Sequence, residues 1–375
     1  MNGSFSKTAF VGALVSAGLC VTAAAAPPWV GGPPLNHPRG FTASVVDHCG
    51  NILVFGGMQR FSSAWPYYTL GSVEVLSFNG QSYSPSWTML GSTMPVERQM
   101  HTAVFANGFV YVLGGYRLGP NPVDVEPILQ VDRYDLLTGQ WDSSTVPPIP
   151  SPTICHTSIV DRIGRIWMIG GEVPNVPNVR SEAILFDPAR PQLGWQTMPS
   201  LNTARSFARA IVDNAGRIRV IGGLSQGHAA QLDTVEMLDP CSGGGWVVLP
   251  GRLPHQGSQA PIEGQATLGA DGYIYVTGGW ANNNYSSAVS RIDSRDPLGS
   301  WSPWMSLGLA RSEHTSVLGR DGRIYIIGGE AAGVVSQTNV ETLYTGQCLG
   351  DLNADRVVDS SDLGTLLGNW QAICP

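Results

Sequence analysis

A six-bladed, all-β propeller is the fold class that this sequence predicts, and three observations predict it. A short apolar strand ending in a glycine pair recurs six times, the composition is that of a turn-dense globular chain, and the last repeat lacks an outer strand that the N-terminal segment can supply. The glycine pairs end at Gly57, Gly115, Gly171, Gly223, Gly279 and Gly329, and neighbouring pairs lie 50 to 58 residues apart. Double glycines arise by chance among 46 glycines in 375 residues, but six behind apolar runs at near-constant spacing do not.

Each unit carries four strand signals. The first strand opens with Arg39, Arg98, Arg205 and Arg311, and with Thr153 and Pro261 in the divergent third and fifth copies. Three residues later stand His101, His156 and His314, which are expected as blade-to-blade contacts rather than a metal cluster. The second strand runs into the glycine pair, where neighbouring backbone or a bulky ring is expected to approach too closely for a side chain. A third strand follows at Phe78, Tyr134, Phe186, Leu238, Ile292 and Tyr344. A fourth is marked by Trp87, Trp141, Trp195, Trp246 and Trp301, whose rings are expected to cover the glycine gap.

The sixth unit has no such tryptophan. Trp29, however, lies ten residues before Arg39, as Trp195 precedes Arg205 and Trp301 precedes Arg311. The segment at Trp29 therefore supplies the outer strand of the last blade and closes the ring, which removes a free sheet edge. Six blades and no seventh follow from this count.

With strands, glycine pairs and tryptophans at this period, residues 27 to about 346 resemble Kelch propellers. Within that superfamily they are similar to the six-bladed members rather than to the seven-bladed galactose oxidases. The Cys and Tyr/His ligand context of the galactose oxidase radical-copper site has no copy here, so no copper is expected.

Residues 1–26 read as a signal peptide: Lys7 supplies its positive n-region, Ala9 to Val21 form its apolar stretch, and Ala23 to Ala26 its small-residue cleavage zone. The expected location is secreted, periplasmic or at the cell surface, with no membrane span in the mature chain. The formal charge of −7 offers no basic stripe and argues against a nucleic-acid partner. Beyond the leader stand Cys49, Cys155, Cys241, Cys348 and Cys374, an odd number, of which Cys348 and Cys374 are the expected disulfide. A monomer is expected.

In a four-stranded up-and-down blade, the link between strands two and three shares a face with the link into the next blade. That face is the expected ligand surface. It collects Phe61, Trp65, Tyr67 and Tyr68 from the long first connection, Tyr116 and Arg117 from the second blade, Arg180 from the third, and Trp280 and Tyr285 from the fifth. The strand-opening Arg39, Arg98, Arg205 and Arg311 are expected nearer the axis on the same face. Aromatic rings among arginines suit sugar faces or peptide side chains.

An enzyme is the alternative. Six-bladed Kelch propellers include periplasmic sialic acid mutarotases, also called N-acetylneuraminate epimerases, which use an acid/base pair near the channel mouth. The resemblance is at the level of the fold; Glu263 and Glu313, which occupy equivalent places in adjacent blades, are the candidates, with Arg311 near them to hold a sugar carboxylate and Arg205 one blade further round. The chain contains no G-x-S-x-G elbow, no H-E-x-x-H, no phosphate-cradling glycine loop and no C-x-x-C.

Residues 347–375 depart from the repeat. Asp351, Asn353, Asp355, Asp359 and Asp362 occupy positions 1, 3, 5, 9 and 12 of a calcium loop, with the Val357 carbonyl at position 7. Leu363, Leu366, Leu367 and Trp370 then mark one apolar helix face. The segment resembles half of a dockerin repeat. Dockerins carry two such repeats, and Arg356 stands where the turn usually has Gly, so the expected site is weak, with Kd on the order of 10⁻⁴ to 10⁻³ M. A cell-surface or cohesin-like partner is what that resemblance implies.

Three functions follow as expectations. The first is a secreted propeller that binds a protein or carbohydrate ligand and carries a calcium-binding tail. The others are a sugar mutarotase and a carbohydrate-binding component of a polysaccharide-degrading system.

Overall fold

The structure is a computed structural model and describes residues 29–62, 66–119, 124–176, 178–296 and 298–346. The leader, Trp65, the calcium-loop residues Asp351 to Asp362 and the Cys348–Cys374 pair lie outside the described residues.

Six four-stranded antiparallel sheets surround an axis. In blade 1 the strands run outward as Ala43–Val46, Ile52–Phe55, Val73–Leu76 and Thr88–Met89. The inner strands of blades 2 to 5 are Thr102–Ala106, Thr157–Val160, Arg209–Val212 and Gln265–Leu268, and each touches the inner strand of the next blade. Blade 6 consists of Thr315–Leu318, Arg323–Ile327 and Val340–Tyr344, with Val30–Gly32 as its outer strand. Val30 pairs with Thr342 and Gly32 with Val340, and the Trp29 indole donates to Met305 O at 2.8 Å. The ring closes as the tryptophan spacing predicts.

The second strand of every blade is sandwiched between neighbours. Runs such as Ile52–Phe55 and Ile166–Ile169 are buried along their whole length, which explains why they read as continuous apolar segments. The core is six separate clusters, each spanning two blades. One joins Trp167, Ile169 and Leu185 of blade 3 to Ile218, Val220 and Trp246 of blade 4, and another joins Ile52, Val54 and Trp87 of blade 1 to Tyr325, Ile327 and Val340 of blade 6.

The glycine pairs answer to backbone, as expected. A Cβ on Gly56 would stand 2.7 Å from the Arg98 carbonyl, and one on Gly170 would stand 2.5 Å from that of Arg205, the strand-opening residue of the next blade in each case. The tryptophans do a different job from the expected one. They lie on outer strands and reach back to the exit of the preceding blade: Trp87 donates to Pro33 O, Trp195 to Pro147 O and Trp246 to Pro199 O. The glycine gap is covered by histidine instead: a Cβ on Gly114 would meet the His156 ring and one on Gly278 the His314 ring, while Gly115, Gly171 and Gly329 lie against the Cβ atoms of His101, His156 and His314. The His156 and His314 imidazoles bond Thr102 and Thr277 of the neighbouring blade. Burial drives His156 down to about 3, so it is a neutral structural group.

Among the described residues Cys49, Cys155 and Cys241 are free, and no helix is long and apolar enough to cross a membrane.

Candidate functional site

The strand-opening arginines do not face a ligand. Arg39, Arg98, Arg205 and Arg311 are at most 1% exposed, and each is spent inside its own blade. Arg39 pairs with Glu74 and Arg205 with Glu236, both at 2.7 Å, Arg311 pairs with Glu341 at 2.7 Å, and Arg98 pairs with Asp132. A second guanidinium nitrogen bonds the first carbonyl of the glycine pair, as Arg205 does with Gly222 O at 2.8 Å. The carboxylate also accepts the link into the blade: Glu236 takes Asn202 N, Asn202 Nδ2 and Thr203 N. These four arginines thus pin inter-blade links to third strands. The expectation that Arg311 and Arg205 flank Glu263 and Glu313 as ligand anchors is corrected accordingly, because the terminal nitrogens of both buried guanidinium groups are already bonded within their own blades and neither group is accessible to a ligand.

Two residues beyond each strand-opening position, the chain turns left-handed in all six blades. Phe41, Met100, Cys155, Phe207, Glu263 and Glu313 have φ between 52° and 58°. None is glycine, so each conformation is held against an intrinsic cost of about 1 kcal/mol or more. What holds it is a chain of backbone hydrogen bonds around the axis. Phe41 N donates to Glu313 O, Met100 N to Phe41 O, Cys155 N to Met100 O, Phe207 N to Cys155 O and Glu313 N to Glu263 O, at 2.8 to 3.3 Å. This collar narrows the channel on the face predicted to bind.

A second layer stands above the collar. The residue before each collar position forms a bridge to the residue after the glycine pair, which is Met58, Tyr116, Glu172, Leu224, Trp280 or Glu330. Four of these positions start short two-stranded ribbons: Met58–Gln59 with Tyr68–Thr69, Tyr116–Leu118 with Val125–Pro127, Trp280–Ala281 with Asn284–Tyr285, and Glu330–Ala331 with Val335–Ser336. The ribbons lean on one another, Ser336 N donating to Arg60 O and Leu118 N to Thr69 Oγ1. They form a rim around the mouth.

The rim brings together most of the predicted aromatic set. Tyr116, Trp280, Tyr285 and Tyr67 are half-buried, and Tyr68 and Phe61 are exposed. Trp280 and Tyr285 pack edge to face at 4.8 Å, and the Arg60 guanidinium lies 4.6 Å over the Tyr67 ring. Arg117 pairs with Glu126 at the exposed rim, and Arg180 bonds Ser151. Beside Tyr116 a cavity of about 320 Å³ opens between Met100, Phe207, Glu172, His228 and Glu263. Below the collar lies a polar chamber of about 170 Å³, lined by Thr102, Thr157, Ser158, Thr315, Ser316 and one cation, Arg209.

The charges concentrate at the collar. Glu263 and Glu313 are neighbours in it, and Glu330 stands over them from the second layer. Burial raises the proton affinity of all three, repulsion from neighbouring carboxylates adds to it at Glu263 and Glu313, and Glu263 is pushed up to about 7. Arg60 pairs with Glu330 at 3.2 Å, and Arg209 sends Nε to Gly264 O at 2.7 Å. Glu172 is held by His228 at 2.7 Å. Sequence reasoning missed Glu330, Glu172, Arg60 and Arg209. Glu330 and Glu172 directly follow a glycine pair, as Tyr116 and Trp280 do, so the repeat alignment held the signal. Among the described residues no group of three His, Cys, Asp or Glu side chains is arranged to hold a metal.

Six blades with this glycine-pair repeat define the chain as a β-propeller closed by its N-terminal strand. No family model matches it. The chain is similar to the Kelch repeat and BTB domain-containing protein 1 of cowpox virus, at 24% identity over 243 residues, covering 64% of this chain and 39% of that protein. It is 27% identical to the ectromelia virus protein of that name over 228 residues, 60% and 37% of the two chains. The human Kelch repeat and BTB domain-containing protein 12 is 24% identical over 208 residues, 52% and 32%. The chain spans about two fifths of the length of the first of these relatives. The solved structure of YjhT superposes with a TM-score of 0.65 at 18% identity, over 82% of this chain and 95% of that one, and shows the fold alone. The chain is a six-bladed propeller of the Kelch type.

Proposed function

We propose that this protein is an exported recognition module that binds a partner polypeptide on its ribbon face. The single observation that carries this is the construction of that face: four ribbons form a rim of half-buried aromatic side chains around a charged mouth. Tyrosine and tryptophan supply large contact area at low entropic cost, which is why they dominate binding hot spots. The relatives support a protein ligand only as far as their names go, since those chains pair Kelch repeats with another domain. Export rests on the leader, and a calcium-stabilised tail for attachment rests on the Asp351 to Asp362 pattern.

The test is selection of a displayed random-peptide library on the protein, with a glycan array in parallel. Peptides that bind wild type and lose at least tenfold in affinity on Tyr116→Ala/Tyr285→Ala support the reading. Glycan binding lost in a Trp65→Ala/Trp280→Ala variant, with no peptide selected, replaces it with the carbohydrate-binding role.

A second reading is favoured by one observation, the contact of Glu263 and Glu313 in the collar with Glu263 titrating near neutrality. A general acid/base poised there suits sugar ring opening of the mutarotase type. Anomer exchange of sialic acid followed by NMR tests it, and a rate equal to buffer removes it.

A further inference from the structure

The collar carries more carboxyl groups than cations, and two of their oxygens are left over. Glu330 is 2% exposed, and its Oε2 takes Arg60 while its Oε1 meets no cation. Glu313 Oε2 is buried and meets no cation; the Glu313 and Glu330 carboxyls instead bond each other, which requires a proton held between them. Both lie beside Gly40, where a Cβ would stand 3.0 Å from Glu330 Cγ and 3.6 Å from Glu313 Oε2. Buried carboxylate oxygens without donors are costly and rare. In blades 1, 2, 4 and 6 the buried carboxylate of the third strand is satisfied by an arginine from its own blade, whereas among the described residues no arginine of blades 5 or 6 pairs with Glu263, Glu313 or Glu330.

We propose that the channel mouth receives one cationic side chain, a lysine or arginine of the partner polypeptide, whose charged tip sits among Glu263, Glu313 and Glu330. This rests on the ribbon face being the recognition surface and names what it recognises. The stem of such a side chain would run along Tyr116 and Tyr285, whose hydroxyls sense Glu313 and Arg60. A guanidinium or ammonium replaces the shared proton and gives Glu313 Oε2 and Glu330 Oε1 donors of their own, in a site dry enough for the pairing to be strong.

The groups facing these carboxyls are Arg60 from the first ribbon, Arg209 from the inner strand of blade 4, Glu172 with its partner His228, the Cys155 thiol, and the hydroxyls of Tyr67, Tyr116 and Tyr285. His228 sits 2.7 Å from Glu172 rather than in the cluster. The empty mouth holds protons that an arriving cation must displace. Binding therefore tightens as pH rises and releases protons.

The experiment titrates the full chain with acetyl-Gly-Gly-Arg-Gly-Gly-amide and with peptides carrying lysine, citrulline or glutamate in place of arginine. Calorimetry in two buffers of different ionisation enthalpy counts protons. The expected result is binding of the arginine and lysine peptides at least tenfold tighter than citrulline, release of about one proton near pH 6.5, and at least a tenfold loss in Glu313→Gln. Glu330→Gln gives a second variant with the same expectation. Citrulline or glutamate binding as well as arginine, no proton release, or no peptide binding at all overturns the inference. Library peptides that map to Tyr116 and Tyr285 yet lack a basic residue would sink it while leaving the recognition face intact. Peptides that map elsewhere would sink both.

Discussion

Arg205 and Glu236 form a buried pair that blade 3 has already replaced. In blades 1, 2, 4 and 6 a strand-opening arginine meets a carboxylate in the third strand. In blade 3 the strand opens with Thr153, and the position matching Glu236 is Ile184: Met168 and Val220 sit alike before their glycine pairs, and they face Ile184 and Glu236. Charge is present on both sides or on neither. Substituting Glu236→Ile alone strands a guanidinium that is 1% exposed, and breaking a buried pair from one side costs about 3 to 5 kcal/mol. For a domain of this size that lowers Tm by roughly 5 to 8 °C. Arg205→Thr alone leaves Glu236 with three amide donors from Asn202 and Thr203 and costs less, about 2 to 3 kcal/mol. The double variant Arg205→Thr/Glu236→Ile copies blade 3, and its loss falls short of the sum of the singles by at least about 2 kcal/mol. Urea unfolding of the four proteins measures the cycle. Additive losses, or a Glu236→Ile cost under about 1 kcal/mol, would refute the claim that these arginines are structural clamps.

Three further outcomes follow. Deleting residues 29–32 exposes the edge at Val340–Tyr344 and removes the Trp29 anchor, so stability drops by about 3 kcal/mol and amide exchange accelerates across that strand, read by mass spectrometry. Gly223→Ala, at φ 101° with its Cβ 2.5 Å from Ser206 O, costs about 2 to 4 kcal/mol in thermal unfolding, whereas the open Gly243→Ala, also at positive φ, costs about 1. Glu263 keeps its proton to about 7 in the folded chain and to about 4.5 when unfolded. Its stabilising contribution is therefore whole below about pH 4.5 and is lost as pH rises through 7. Glu263→Gln should gain stability relative to wild type over that interval, and a pH-independent difference would contradict the cluster.

Much of this was legible because a repeat prints its own alignment. Strand 2, the glycine pair and the outer tryptophan recur in register, so blade count and closure through Trp29 could be read directly. The arginines could not be placed from spacing alone, since an exposed anchor and a buried clamp both recur once per blade. The discriminating signal was the partner: Glu74, Asp132, Glu236 and Glu341 accompany the arginines, and Ile184 and Ser290 accompany Thr153 and Pro261. The tryptophans misled for a related reason. A ring near a glycine in sequence period need not be near it in space, and the indole N–H found the preceding blade's carbonyl.

The collar shows where such a fold can acquire a function without disturbing its frame. Six equivalent residues must adopt the same left-handed turn and bond each other through backbone, so the frame asks nothing of their side chains beyond fitting the channel. Four of them, Phe41, Met100, Cys155 and Phe207, are apolar and cost nothing to desolvate. Glu263 and Glu313 break that pattern, as Glu330 and Glu172 do one layer above and Arg209 does below. Each of these charges is partly or wholly removed from water at a position where its five counterparts show that an uncharged side chain, or at most one other acid, suffices. The packing therefore does not explain them. A group that the frame does not need and that burial penalises is retained where something outside the frame meets it, and the mouth of the channel is where these groups converge.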